Sequence, residues 1–193
     1  AVDARAAGNS DWALAGFLDD DSAALSGHHA VAPLLGPISD WQPSADEVFV
    51  CAIGSPGTRD AIAASLEARG AQFVNVIHPT VLVAPSASLG HGLVVYPYSC
   101  ISTDTVLQPH VQINMHCAIG HDAKLGRSTV LSSFCDITGH VQLGDRVLVG
   151  SHVTIAPKLR VGDDAVLGMG SVVVATVRAG KRVFGNPAKS LEL

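Results

Sequence analysis

A period of six runs through most of the chain. Stepping by six from Ile77 gives Val83, Leu89, Val95, Ile101, Leu107, Ile113, Ile119, Leu125, Leu131, Ile137, Leu143, Val149, Ile155, Val161, Leu167 and Val173, seventeen positions that are all Leu, Ile or Val. If about a third of positions were aliphatic, chance would give such a run roughly once in a hundred million trials, so the pattern is a structural constraint. Four residues after each of these, the side chain is usually small or β-branched, as at Val81, Ala87, Val111, Cys117, Ala123, Thr129, Cys135, Val141, Val147, Val153, Ala165 and Val177. Leu93 and Leu159 are the large exceptions. Six fits neither a helix nor a flat two-sided strand. It fits short strands that meet at corners, each edge pointing one large and one small residue inward, with three edges closing a triangular coil of eighteen residues. Coils then stack about 4.8 Å apart through parallel ladders, which places residues eighteen apart above one another.

Before Ile77 the period disappears. Trp12 to Leu18 and Val48 to Ile53 read as short buried strands, ending in Asp19-Asp20-Asp21 and Gly54-Ser55-Pro56-Gly57. A helix is expected from about Thr58 as N-cap to about Arg69, with Ile62 and Leu66 on one face and Gly70 as its stop. Strand, helix and then Phe73 to Val76 make a βαβ-like unit. The predicted organisation is a mostly β chain, with a small α/β, partly Rossmann-like domain over 1–75 and a parallel β-helix over 76–193.

Composition narrows the function. Charged residues are 15% of the chain and the formal net charge is -5, which leaves no basic surface for nucleic acid. No apolar run reaches membrane-spanning length, and Ala1-Val2-Asp3-Ala4-Arg5 lacks a signal-peptide layout, so a soluble cytoplasmic protein is expected. Cys51, Cys100, Cys117 and Cys135 show no C-x-x-C spacing and sit among apolar neighbours, which favours reduced, buried thiols.

Phe17-Leu18-Asp19-Asp20-Asp21, Ala52-Ile53-Gly54, His78-Pro79 and the six-residue period resemble the nucleotide-sugar acetyltransferases that place a small α/β domain before a hexapeptide-repeat β-helix. The resemblance covers nearly the whole chain and implies a left-handed coil. It is to the sialic acid O-acetyltransferase and UDP-4-amino-sugar N-acetyltransferase type. That family's first strand and G-x-G-G-H-like loop, which hold the nucleotide diphosphate, have no counterpart here, Ala1 falling inside what looks like its first helix.

The stretch from Ile113 to Asp122 is similar to the family's base-carrying segment. The resemblance makes His121 the general base, Asp122 the carboxylate that fixes its tautomer, and Asn114 a substrate-positioning amide. Acyl transfer to an amine or hydroxyl needs such a base, and histidine suits the task. Gly139, one coil beyond His121, is expected to offer its N–H to the oxyanion. Ser133, Ser151, Met169 and Pro187 are eighteen apart and form a column for the pantetheine arm of acetyl-CoA. Lys181 and Arg182 are placed to meet CoA phosphates, and Phe184-Gly185-Asn186-Pro187-Ala188 resembles the family's terminal motif. Asp19, Asp20 and Gly54, at strand C-termini, are expected to contact the acceptor's nucleotide. One departure stands out: the family often has a histidine nine residues after the base, where this chain has Val130, and His140 is the candidate replacement.

The expected activity is acetyl-CoA-dependent N-acetylation of a UDP-linked 4-amino-4,6-dideoxy sugar, by a homotrimer with sites between subunits and without a metal. O-acetylation of a sialic acid or other sugar is the second choice. Two readings from other classes compete. A γ-class carbonic anhydrase shares the β-helix and binds zinc through histidines, two of them spaced as His116 and His121 are, with His78 near the third position at Thr80. A non-catalytic scaffold would use the repeats for assembly alone.

Overall fold

The computed structural model describes residues 12–190. From Val76 to Val173, seventeen two-residue strands recur every six residues and form a three-sided parallel β-helix. The first face stacks Val76–Ile77, Val94–Val95, Gln112–Ile113, Val130–Leu131, Leu148–Val149 and Val166–Leu167. The second stacks Leu82–Val83, Cys100–Ile101, Ala118–Ile119, Asp136–Ile137, Thr154–Ile155 and Val172–Val173. The third runs from Ser88–Leu89 through Val106–Leu107, Lys124–Leu125 and Gln142–Leu143 to Arg160–Val161. Partners are eighteen residues apart: Val106 beside Lys124, Gln112 beside Val130, Ala118 beside Asp136.

The interior is the expected one. Every sixth residue from Val95 to Val173 is buried, each burial contributing about 1.5–3 kcal/mol. The smaller inward residues fill the corners between them. Ser99 and Thr105 are inward and polar, and their hydroxyls donate to the carbonyls of Asn114 (3.0 Å) and Gly120 (3.1 Å) in the next coil.

The corners add a second six-residue period. Twelve non-glycine residues, from Tyr98 through His110, His116, Asp122, His140 and Lys158 to Asp164, take left-handed backbone with φ of 54–65° at every sixth position. Each normally costs about 1–2 kcal/mol. The cost is offset because the N–H of each corner residue donates to the coil below, to a carbonyl as His116 does to Pro97 and His140 to His121, or to the Thr80 and Ser86 hydroxyls at Tyr98 and Asp104. The first corner, between the first and second faces, carries His116; the second carries His121 and Asp122; the third carries His110 and Arg127.

Three expectations change. The helix, α1 (Pro56–Ala68), starts at Ser55 as N-cap rather than Thr58, because proline is well tolerated in a first helical turn. The long N-terminal strands shrink to Phe17–Leu18, paired with Leu34–Gly36, and Val48–Phe49, paired in parallel with Gln72–Phe73 across α1. The last coil is two residues short: Leu167 pairs with Val183, sixteen residues on, so Pro187 does not stack above Met169. Ala1, expected to fall within a helix, lies outside the described residues, and no helix among the described residues is long and apolar enough to cross a membrane.

The α/β unit docks on the first face and third corner. Outward-facing Val94, Gln112 and Val130 are buried there, whereas outward Cys100, Ala118, Asp136, Lys124, Gln142 and Arg160 on the other faces are exposed. Polar contacts fix the docking. Asp60 on α1 accepts from Arg127 (2.8 Å) and Ser128 (2.9 Å). Glu67 accepts from His91 (2.8 Å), His110 (2.7 Å) and Arg127 (2.7 Å). His110 is fully buried, and its Nδ1 lies where a Cβ on Gly92 would come within 2.4 Å, so only glycine fits at that left-handed position.

This junction makes stability acid-sensitive. Burial pushes the Glu67 carboxyl up, but hydrogen bonds from His110, His91 and Arg127 outweigh it and hold the group down to about 2. Burial also lowers His110 below its ordinary value, with Glu67 opposing. Both folded-state values lie below the unfolded ones, so both contributions are complete at neutral pH and decline on acidification. The decline starts near the ordinary histidine value of 6.5 and, for Glu67, continues from its ordinary 4.5 toward about 2. Glu67→Gln should cost on the order of 2 kcal/mol at pH 7 in denaturant titrations, the deficit shrinking below pH ~4.5. A deficit independent of pH would contradict this.

Candidate active site

The second corner brings together the residues with acid–base chemistry. His121 and Asp122 follow the strand Ala118–Ile119, and the left-handed φ of 58° at Asp122 sets its side chain beside the ring. His121 Nδ1 lies 2.8 Å from Asp122 Oδ2. The carboxylate can only accept, so Nδ1 carries the proton and Nε2 is left with its lone pair. The His121 hydrogen bond holds the Asp122 carboxyl below its usual range, with burial opposing and His140 and Lys124 adding to the effect. The pair is half-exposed, open to a substrate.

Gly139 lies one coil away against the same ring. A Cβ there would fall 2.6 Å from His121 Nε2, so any side chain would displace the imidazole. Among the described residues no acceptor takes the Gly139 N–H, while its carbonyl accepts from Lys158. His140 joins the group, its ring edge-on to His121 at 4.9 Å and its Nδ1 3.8 Å from Asp122. Val130 is on the buried first face, so the expected family histidine has no place at this corner.

The other expected site residues are elsewhere. Asn114 follows the first-face strand Gln112–Ile113 and stands at the first corner, as do Ser151 and the exposed Met169. About five residues of extended chain, roughly 15 Å, separate that corner from His121. Lys181, Arg182 and Pro187 are exposed at the C-terminal end of the coil stack. Asp19 and Asp20 follow Phe17–Leu18, with Asp20 Oδ1 accepting from Ser39 N–H, while Gly54 precedes α1 in a different sheet unit. Sequence reasoning missed a ring column at the first corner: Tyr98, His116, Phe134 and His152 stack at 5.1, 4.9 and 4.8 Å. Their eighteen-residue spacing was the available signal.

Two groups offer three possible metal-ligand atoms within 4.8 Å of one another: Glu67, His91 and His110, and His121, Asp122 and His140. In the first, Glu67 already accepts from both histidines. A cation on His110 Nε2 would drive its proton to Nδ1, which is buried and faces no acceptor. The residues of the zinc alternative do not converge within one chain: His116 is stacked between Tyr98 and Phe134, and His78 Nδ1 lies 2.9 Å from Thr80 Oγ1.

No family model matches the chain. Among curated proteins it is 28% identical over 84 residues to GDP-perosamine N-acetyltransferase from Escherichia coli O157:H7, a match covering 44% of this chain and 38% of that one. Among solved structures, PerB from Caulobacter crescentus in complex with CoA and GDP-perosamine superimposes with a TM-score of 0.80 at 27% identity, covering 83% of this chain and 79% of that one. The acetyltransferase domain of PglB from Neisseria gonorrhoeae FA1090 superimposes at 0.85 and 27% identity, over 91% of this chain and 86% of that one. The chain shares its hexapeptide repeat and three-sided parallel coil with these acetyltransferases, to which it is similar in fold over most of its length.

Proposed function

We propose that the protein transfers an acetyl group from acetyl-CoA to the amino group of a nucleotide-linked amino sugar, with His121 as general base. One observation carries the reading: a histidine whose Nδ1 is committed to a carboxylate presents its free Nε2 lone pair directly over Gly139. Nε2 takes a proton from the amine as its nitrogen attacks the thioester carbonyl. The Gly139 N–H donates to the oxyanion that develops. The C–S bond then breaks, the amide forms, and the CoA thiolate leaves and is protonated. The relatives carry GDP-perosamine and CoA or acetyl-CoA, which supports a nucleoside diphosphate acceptor; UDP and GDP sugars are the two acceptors to compare. Acetyl-CoA as donor points to the cytoplasm as the site of action.

The separation of the two corners supports an assembly. Asn114, Ser151 and Met169 stand one face away from His121, and two copies packed corner to corner would bring both sets to one pair of substrates. We read the working form as a homotrimer in which the first corner of one copy faces the second corner of the next. Asp19, Asp20 and Gly54 then hold the nucleotide, Ser151 and Met169 the pantetheine arm, and Lys181, Arg182 and Pro187 the distal end of CoA. Sedimentation should give a trimer at micromolar concentration; a monomer that retains full turnover would refute the shared site.

Thiol release from acetyl-CoA with UDP- and GDP-linked amino sugars tests the activity. His121→Ala should lower kcat by about 10²- to 10⁴-fold while leaving acetyl-CoA affinity nearly unchanged. Asp122→Asn should cost less, because the amide keeps the shape of the carboxylate and its oxygen can still accept from the ring Nδ1–H. Near-normal turnover in His121→Ala would remove the mechanism. Gly139→Ala should keep the fold, measured by circular dichroism, yet lose most of kcat, since the added methyl displaces the base; unchanged kcat would show that His121 works from another position.

A further inference from the structure

Arg59 is the unusual residue of the α/β unit. It sits in the first turn of α1 and is fully buried. Its Nε donates to the His110 carbonyl (2.6 Å), and Nη1 shares its two N–H groups among the carbonyls of Cys51 (2.7 Å) and Ile53 (3.1 Å) and Gln112 Oε1 (2.9 Å). Among the described residues no carboxylate pairs with it, and its Nη2 is buried without an acceptor. A buried guanidinium without a counter-ion is costly, and a glutamate at position 112 would supply one within reach. The chain has a glutamine there.

The glutamine has a second partner: its Nε2 donates to Asn114 Oδ1 at 3.2 Å. The polarity of the whole chain follows from one fact, that a guanidinium only donates. Gln112 must turn its oxygen to Arg59, so its N–H groups face Asn114. Asn114 must turn its oxygen to Gln112, so its own Nδ2 is directed away, and among the described residues nothing accepts from it. A carboxylate at 112 would satisfy the arginine but could not donate onward.

We propose that Arg59 and Gln112 are positioning residues for the acceptor: their one-way hydrogen-bond chain holds the Asn114 amide with its N–H groups toward the sugar, to grip a hydroxyl or phosphate oxygen. The inference rests on the reading of Asn114 as an acceptor-binding residue. It ties the α1 helix to substrate recognition as well as to the fold.

The decisive variant is Gln112→Glu, because it moves stability and recognition in opposite directions. It pairs the buried Arg59, so the melting temperature should rise; it also forces Asn114 to reverse, so the acceptor KM should rise about tenfold, the loss of roughly one hydrogen bond. The acetyl-CoA KM should not change. A more stable enzyme with the wild-type acceptor KM would overturn the proposal, as would equal weakening toward both substrates, which marks a merely structural role. Gln112→Leu breaks the chain without reversing it and should give a smaller rise in acceptor KM. A readout independent of turnover separates this inference from the proposed activity: the Asn114 side-chain amide resonances in ¹⁵N spectra should move in Gln112→Glu. Unmoved resonances sink the relay whatever the enzyme acetylates. If wild-type protein acetylates no nucleotide-linked amino sugar, the activity falls, and with it the assignment of Asn114's free N–H groups to a sugar.

Discussion

The stacking register of eighteen residues is the constraint on which the molecule depends. A two-residue strand is too short to be stable alone, and each gains its hydrogen bonds only from the coils on either side. Once the register is held, every inward aliphatic residue lands on another, and every corner residue can donate to the corner below. The left-handed backbone at Asp122 and His140 is therefore a product of stacking, and it also sets the side chains of the candidate site.

The same register creates columns of like position, and chemistry is built by filling a column unevenly. At the second corner the glycine of one coil makes room for the imidazole of the coil before it, which a side chain at Gly139 would not allow. The first corner instead carries stacked rings, an amide oriented from behind and an exposed methionine. One prism thus presents two chemically different edges.

The third corner is occupied by the α/β unit, which leaves the other two free. Glu67 and Asp60 hold it through His91, His110, Arg127 and Ser128, and the buried Arg59 reaches through to Gln112. Docking a helix against a β-helix with so many polar contacts requires each donor to find its acceptor. It makes the attachment specific in orientation, and it carries the polarity of Arg59 through Gln112 to Asn114 at the first corner.

The coil was legible because a solenoid repeats its environment: Leu131 and Ile137 meet the same surroundings eighteen residues on, so local sequence contains the packing rule. The neighbours of His121 were legible for the same reason, since Asp122 is adjacent and Gly139 is one coil away. The short last coil, which moves Pro187 out of its column, was not, because a two-residue deletion leaves no aliphatic signal of its own. Nor were the left-handed corners at Tyr98 or Lys158, where no glycine marks the turn. Arg59, Gln112 and Val130 carry no signal of burial in the repeat, yet all three are buried where the α/β unit meets the coil. Sequence determines what repeats along the chain; contacts between dissimilar units have no period, and the tertiary structure alone decides them.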